Sequence, residues 1–232
     1  MKPSFLFIIL LLFFMSNVFA TNYYVNPDSG SDFNSGMSSN TAWQHITKVN
    51  SYNSYNPGDV ISFKCGTRFY NQTLIPKIDD ITFNSYGIGD RPVIDADSAR
   101  ISHSRFCLDM TNNQSNIIFE GLKFVNGWLS NINVFGASSY VTINNCSVDS
   151  AIQDSYIEAA PGMIYVGGPN ETPPHHWTIT NSSISYSLFG HGMYWDGCRN
   201  VRLENDIVDS NGANGIQIYT GNRSSSSPNM AD

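Results

Sequence analysis

Asn116-Ile-Ile-Phe-Glu-Gly-Leu-Lys-Phe124, Tyr140-Val-Thr-Ile-Asn-Asn-Cys-Ser-Val148, His176-Trp-Thr-Ile-Thr-Asn-Ser-Ser-Ile184 and Asn200-Val-Arg-Leu-Glu-Asn-Asp-Ile-Val208 are four versions of one phrase. They start 24, 36 and 24 residues apart, and the longer step is one period plus an insertion. Repetition at such a spacing marks a stack of like units. In each copy the second, fourth and ninth places are apolar: Ile117, Phe119, Phe124; Val141, Ile143, Val148; Trp177, Ile179, Ile184; Val201, Leu203, Val208. The third and fifth places are mostly polar, so each copy alternates as a strand with one buried face. The sixth place holds Gly121, Asn145, Asn181 and Asn205. Both residue types tolerate a left-handed backbone, which suits a sharp bend between two short strands. Stacked asparagines can also bond one another through their amides, so an inward-facing ladder is expected at this corner. The phrase reads as one coil of a parallel β-solenoid.

An earlier coil begins at Asp80-Ile-Thr-Phe-Asn-Ser85, 36 residues before Asn116. His191-Gly-Met-Tyr-Trp195 and Asn214-Gly-Ile-Gln-Ile218, 23 residues apart, read as the third strand of successive coils. Five coils at the spacing of paired strands make a rod about 24 Å long. The insertion between Ser150 and His176 contains Gly167-Gly-Pro169 and Pro173-Pro-His-His176. That composition predicts a surface loop over residues 161–176, the kind of segment that carries function in solenoids. Upstream, Trp43, Ile46 and Val49 predict a short amphipathic helix that plugs the open end of the first coil. Pro57-Gly-Asp59 turns into a strand from Val60 to Lys64. The expected organisation is a cap over about residues 21–79 and coils over about residues 80–222, in one domain. After Tyr219 the chain is polar to Asp232, with no second cap, so a truncated C-terminus is expected.

This pattern resembles the right-handed parallel β-helix proteins of the pectate lyase-like superfamily. Upstream, Tyr23-Tyr-Val-Asn-Pro-Asp-Ser-Gly-Ser-Asp32, Thr41-Ala-Trp43, Pro57-Gly-Asp-Val-Ile61 and Arg91-Pro-Val-Ile94 are similar to the N-terminal region of secreted β-helix proteins acting on polysaccharides. The resemblance implies an all-β, right-handed parallel β-helix with a short helical cap. It is specific for fold and poor for reaction, since the superfamily hosts lyases, hydrolases, epimerases, esterases and adhesins.

Lys2 precedes an unbroken apolar run from Phe5 to Phe14, and Val18-Phe19-Ala20 supplies small residues before a cut. Residues 1–20 therefore read as a signal peptide, whose apolar run is too short and wrongly flanked for a membrane span. The mature protein is expected to be secreted or periplasmic, and monomeric. Without Lys2 the balance is 11 basic against 19 acidic residues, a net charge of −8. That excludes nucleic acid and anionic membranes as expected partners and offers no general attraction to an acidic glycan. A local cationic cluster or a bound cation would have to supply it. Cys65, Cys107, Cys146 and Cys198 allow three disulfide connectivities, although Cys146 shares its coil place with Leu122 and reads as a buried thiol.

Glycan chemistry needs an acid or base, and a group that stabilises developing charge, within reach of one sugar. The ionisable residues are densest in the last coils: His191, Asp196, Arg199, Arg202, Glu204 and Asp206. For a lyase, Arg202 or His191 would abstract the proton next to a uronate carboxylate, and Asp196 with Glu204 offer oxygen ligands suited to Ca²⁺. For a hydrolase, Asp196 and Glu204 form the best carboxylate pair. Arg202 and Glu204, two residues apart on one strand face, also suit an ordinary surface ion pair. Tyr194 and Trp128 are candidate sugar-binding aromatics, whereas Trp195 points inward by alternation. His175 is expected in a loop and free to reach a ligand, with His176 on the opposite face. Asp28, Asp32 and Asn34 resemble a cation loop but read better as a hydrogen-bonded turn.

The expected function is an exported polysaccharide-degrading enzyme, first a lyase acting on an acidic glycan. A glycoside hydrolase of the same fold and a non-catalytic glycan-binding or adhesin module are the alternatives.

Overall fold

The computed structural model describes residues 20–96, 105–151, 162–168 and 172–219. Residues 1–19, with nearly all of the expected signal peptide, and residues 97–104, 152–161, 169–171 and 220–232 lie outside the described residues.

The chain enters on β1 (Asn22–Val25), passes through the helix α1 (Ile46–Ser51), and winds a first coil as β2 (Val60–Lys64) and β3 (Arg68–Tyr70). The next coil is β4 (Ile81–Tyr86), β5 (Val93–Asp95) and β6 (Leu108–Met110). It is followed by β7 (Ser115–Glu120), β8 (Lys123–Val125) and β9 (Ile132–Phe135), then β10 (Ser139–Asn144), β11 (Ser147–Asp149) and β12 (Gly162–Gly167). The last two are β13 (His175–Thr180), β14 (Ser183–Ser185), β15 (His191–Asp196) and β16 (Arg199–Glu204), β17 (Ile207–Asp209), β18 (Ile216–Tyr219). Corresponding strands stack into three parallel sheets. The first sheet runs β1-β2-β4-β7-β10-β13-β16, the second β3-β5-β8-β11-β14-β17, and the third β6-β9-β12-β15-β18. The molecule is a parallel β-helix, and its stack reaches upstream of residue 80 because β2 pairs in register with β4.

The expected repeat is the observed register. Ile117, Val141, Trp177 and Val201 lie side by side on successive coils, as do Phe119, Ile143, Ile179 and Leu203. Upstream, Tyr23, Ile61 and Phe83 continue the second of these columns, with Phe83 and Phe119 stacked at 5.4 Å. Apolar rows of this kind along the rod axis form the core.

From β7 onward a single left-handed residue makes the bend between the first and second sheets. The sixth-place residues Gly121, Asn145, Asn181 and Asn205 have φ between 51° and 66°, as their types predict. The first-place residues Asn116, Tyr140, His176 and Asn200 are also left-handed, at φ 54–58°. These bulges stand outside the pairing, so Ser139 pairs His175 and Val141 pairs Trp177 while Tyr140 and His176 project outward.

The expected inward asparagine ladder is corrected by this geometry. Asn145, Asn181 and Asn205 are exposed, because a left-handed residue between two strands turns its side chain out of the corner. The Asn181 amide donates to Asn144 Oδ1 at 3.0 Å and accepts from Asn205 at 3.4 Å, both on the surface. The buried row is one place later: Leu122, Cys146 and Ser182. Ser182 Oγ accepts from Cys146 N at 3.1 Å, and Ser182 N donates to Asp206 Oδ1 at 2.8 Å. Asn181→Leu should therefore cost about 1–2 kcal/mol through backbone strain alone. Asn181→Gly should be close to neutral in chemical denaturation, because glycine adopts this backbone freely. An equal loss in both variants would show that the amide matters instead.

The short helix forms where expected, over Ile46–Ser51, with Trp43 just ahead of it. Ile46 and Val49 of α1 are buried in the core, and Trp43 stacks on Tyr23 at 5.0 Å. Asn50 ties α1 to the first coil, donating to Thr73 O at 2.7 Å and accepting from Ile75 N at 2.9 Å. Asp32 forms the predicted hydrogen-bonded turn. Its carboxylate accepts from the backbone N–H groups of Gln44 and His45 and contacts His45 Nδ1 at 2.8 Å. Burial opposes ionisation of Asp32, but the His45 ring and the two backbone donors outweigh it and hold the carboxyl below its usual range. A depressed folded-state value contributes stability above the ordinary aspartate range, lost as pH falls through the folded-state value. Melting scans from pH 5 downward should show a shallower acid loss in Asp32→Asn than in wild type. Identical slopes would rule the turn out as a contributor.

Cys107, Cys146 and Cys198 are buried and Cys65 is half-buried. Burial pushes the Cys146 thiol up to about 12, as befits a core residue.

Candidate active-site face on the third sheet

The residues singled out in the sequence fall on two faces of the rod. Arg202 and Glu204 point outward from β16 in the first sheet and form an ion pair with each other. His191, Tyr194 and Asp196 belong to β15 in the third sheet. Gly192 and Met193 are both buried, which breaks strict alternation and brings His191 and Tyr194 to one surface, ring centroids 5.6 Å apart.

The register of the third sheet builds the face around them. One outward column reads Asp109, Asn133, Tyr165, Tyr194, Gln217. The next reads Phe135, Gly167, Asp196, Tyr219. Tyr165 and Tyr194 are tilted at 5.7 Å, and Tyr194 and Tyr219 at 6.4 Å, so three phenols climb the face. Phe135 is 57% exposed beside them. No strand of the third sheet contains Lys or Arg.

Electrostatics follow from burial and from Asp196. Burial first, then Asp196 and Tyr194, and a hydrogen bond to Asp196, push the Tyr165 phenol up to about 12. Burial, then Asp196 and Tyr219, also raise Tyr194. Both are neutral hydroxyls at physiological pH. Burial lowers His191, so its imidazole is neutral there too. Its Nδ1 accepts the Asn214 backbone N–H at 3.2 Å, which leaves the proton on Nε2. A ring held in this way is suited to donate to a sugar hydroxyl. At the N-terminal end of the face burial raises Asp109, outweighing hydrogen bonds from Asn133 and Thr111 and the charge of Lys77.

Other expectations need correction. His175 is not in a loop but opens β13. The left-handed His176 (φ 55°) cancels the alternation that would send the two rings apart, and their Nδ1 atoms meet at 2.8 Å. Tyr140 stacks on His176 at 4.6 Å, and His176 Nε2 faces the Asn200 amide at 3.2 Å. This cluster sits on the first sheet, away from the third. Residues 162–167 of the expected 161–176 loop are the strand β12, at the centre of the candidate face. Trp128 is half-buried in the turn between β8 and β9, its backbone N–H donating to Arg105 O at 2.7 Å. Trp195 is buried, as alternation predicts.

Asp196 and Glu204 do not fit a shared Ca²⁺ site, since they stand on different sheets and Glu204 is paired with Arg202. Among the described residues no group of three or more His, Cys, Asp or Glu could hold a metal ion.

Tyr165 and Phe135 were missed in the sequence. The Gly and Pro residues around Tyr165 read as a loop. The signal that could have found it is the apolar run Met163, Ile164, Val166, which continues the third-strand rows of Ile132 and Val134.

The fold and face define the class: a parallel β-helix that presents one ring-lined sheet whose strands carry no Lys or Arg. No family model matches the chain. Over 145 residues, 59% of the chain, it is 30% identical to a lacto-N-biosidase of Bifidobacterium longum subsp. longum, and it spans 9% of that protein. Among solved structures, pectate lyase Pel9A matches with a TM-score of 0.55 and 18% identity over 90% of this chain and 57% of that one. A lacto-N-biosidase from Eubacterium ramulus matches with a TM-score of 0.50 and 15% identity over 76% of this chain and 43% of that one. These structural likenesses establish the fold. No helix among the described residues is long and apolar enough to cross a membrane.

Proposed function

We propose that this chain belongs to an exported glycan-degrading enzyme, a glycoside hydrolase that lays an uncharged oligosaccharide along the third sheet. The observation that carries this reading is the make-up of that face: Tyr165, Tyr194 and Tyr219 beside Asp196, with no Lys or Arg on its strands. Tilted aromatic rings and neutral hydroxyls suit sugar rings. A uronate polymer would bring a negative charge to every residue, and nothing on these strands would neutralise it. The sequence similarity to a lacto-N-biosidase points the same way. Asp196 is assigned as a reacting carboxylate, His191 and Tyr194 as sugar-binding groups, and the second carboxylate of the pair is left unassigned.

Of the two bases that the lyase reading allows, Arg202 is held by Glu204 on the first sheet, and His191 stands on a sheet whose strands carry no Lys or Arg to neutralise a uronate. The two reactions leave different products. Hydrolysis frees a reducing end, and elimination also leaves an ultraviolet-absorbing double bond. The full-length protein, incubated with neutral oligosaccharides and with uronate polymers, should release reducing ends from the neutral set without that absorbance. Absorbance from a uronate polymer, abolished by Arg202→Ala or by His191→Ala, would overturn the assignment in favour of the lyase.

A further inference from the structure

Gly167 holds a place where any side chain would collide with the candidate site. In the register of the third sheet it lies opposite Asp196, while Tyr165, two residues earlier, lies opposite Tyr194. A Cβ built on Gly167 would stand 2.5 Å from the Tyr165 hydroxyl and 3.2 Å from Asp196 Cβ. The phenol thus leans along its own strand, over the bare glycine backbone, toward the carboxylate on the next coil. Gly167 has no left-handed φ to explain it. What glycine supplies here is room.

We propose that Tyr165 is a positioning residue for Asp196, and that position 167 is glycine so that the phenol can lie across it and donate its O–H to the carboxylate. This deepens the hydrolase reading and rests on it. A carboxylate that accepts a hydrogen bond from a neutral phenol is favoured in its charged form. Asp196 is therefore the ionised member of the catalytic pair, the one that attacks or activates water, and the general acid lies elsewhere. The late ionisation of Tyr165 agrees with a phenol that keeps its proton for this bond.

Three variants of the full-length protein test this: Tyr165→Phe, Gly167→Ala and Asp196→Asn. Tyr165→Phe removes one hydroxyl and should fold as wild type. It should move the acid limb of kcat/KM to higher pH, with about a tenfold loss just below the wild-type limb for each unit of movement. Carboxyl ¹³C NMR should show the Asp196 titration moving the same way, whether or not a substrate is in hand. Gly167→Ala should reproduce both changes with the tyrosine present, because its methyl group occupies the hydroxyl's path. In Asp196→Asn the Tyr165 phenol should titrate earlier than in wild type. An unmoved Asp196 titration in Tyr165→Phe overturns the proposal whatever the activity. A moved titration with full activity in Asp196→Asn overturns the catalytic assignment of the face and leaves a hydrogen bond without that role.

Discussion

On the proposed hydrolase reading, Asp196→Asn in the full-length protein should lower kcat/KM on neutral oligosaccharides by about 10²–10⁴-fold, the range expected when a reacting acid–base group is lost. The substitution is nearly isosteric, and Asp196 stands on the outward face of β15, between the inward Trp195 and the turn at Gly197. Its melting temperature should therefore stay close to that of wild type, which separates a chemical loss from an unfolded protein. The neighbouring Tyr194→Phe retains the ring and should affect KM more than kcat if its hydroxyl only holds sugar. Reducing-end release measured across substrate concentrations distinguishes the two. Full activity in Asp196→Asn would remove the third sheet as the reacting surface.

The largest effect on stability is expected from Trp177→Ala. Trp177 is fully buried, lies between Val141 and Val201 in the first sheet, and meets Trp195 from the third sheet at 6.2 Å. Its indole N–H also donates to Ser138 O at 3.1 Å. Removing it leaves a cavity across the full width of one coil and an unpaired carbonyl, at a cost of about 3–5 kcal/mol. Ile118→Ala, on the outward side of the same sheet, should stay within about 0.5 kcal/mol. Chemical denaturation of the pair checks the inside-out assignment of the repeat. Similar losses in both would mean that the alternation had been read on the wrong face.

The coil was legible from the chain because its rows are local. The apolar places of the repeated phrase and the Gly or Asn at its bend are properties of nine consecutive residues, and stacking copies them unchanged. The cap was legible for the same reason: Ile46 and Val49 share a helical face. The third sheet was harder to read. Its strands are separated by turns of unequal length, so Tyr165 and Tyr194, 29 residues apart, become neighbours on adjacent strands with no shared motif to announce it. Glycine misled once in that region: around Tyr165 it suggested a loop where a strand runs.

From the residues alone come the period, the inward rows, the left-handed corners and the balance of charge. Each needs only the period-two geometry of a strand and the conformational preferences of Gly and Asn. The grouping of side chains into faces came only with the tertiary structure. It separated Arg202 and Glu204 from Asp196 and Tyr194, turned the corner asparagines outward, and drew His175 and His176 together. The reason is that left-handed residues at the described bends, one in each turn from the first sheet to the second from β7 on, redirect the chain by the angle between two sheets. Which outward columns share a surface therefore depends on the count of residues between corners, and that count varies from coil to coil.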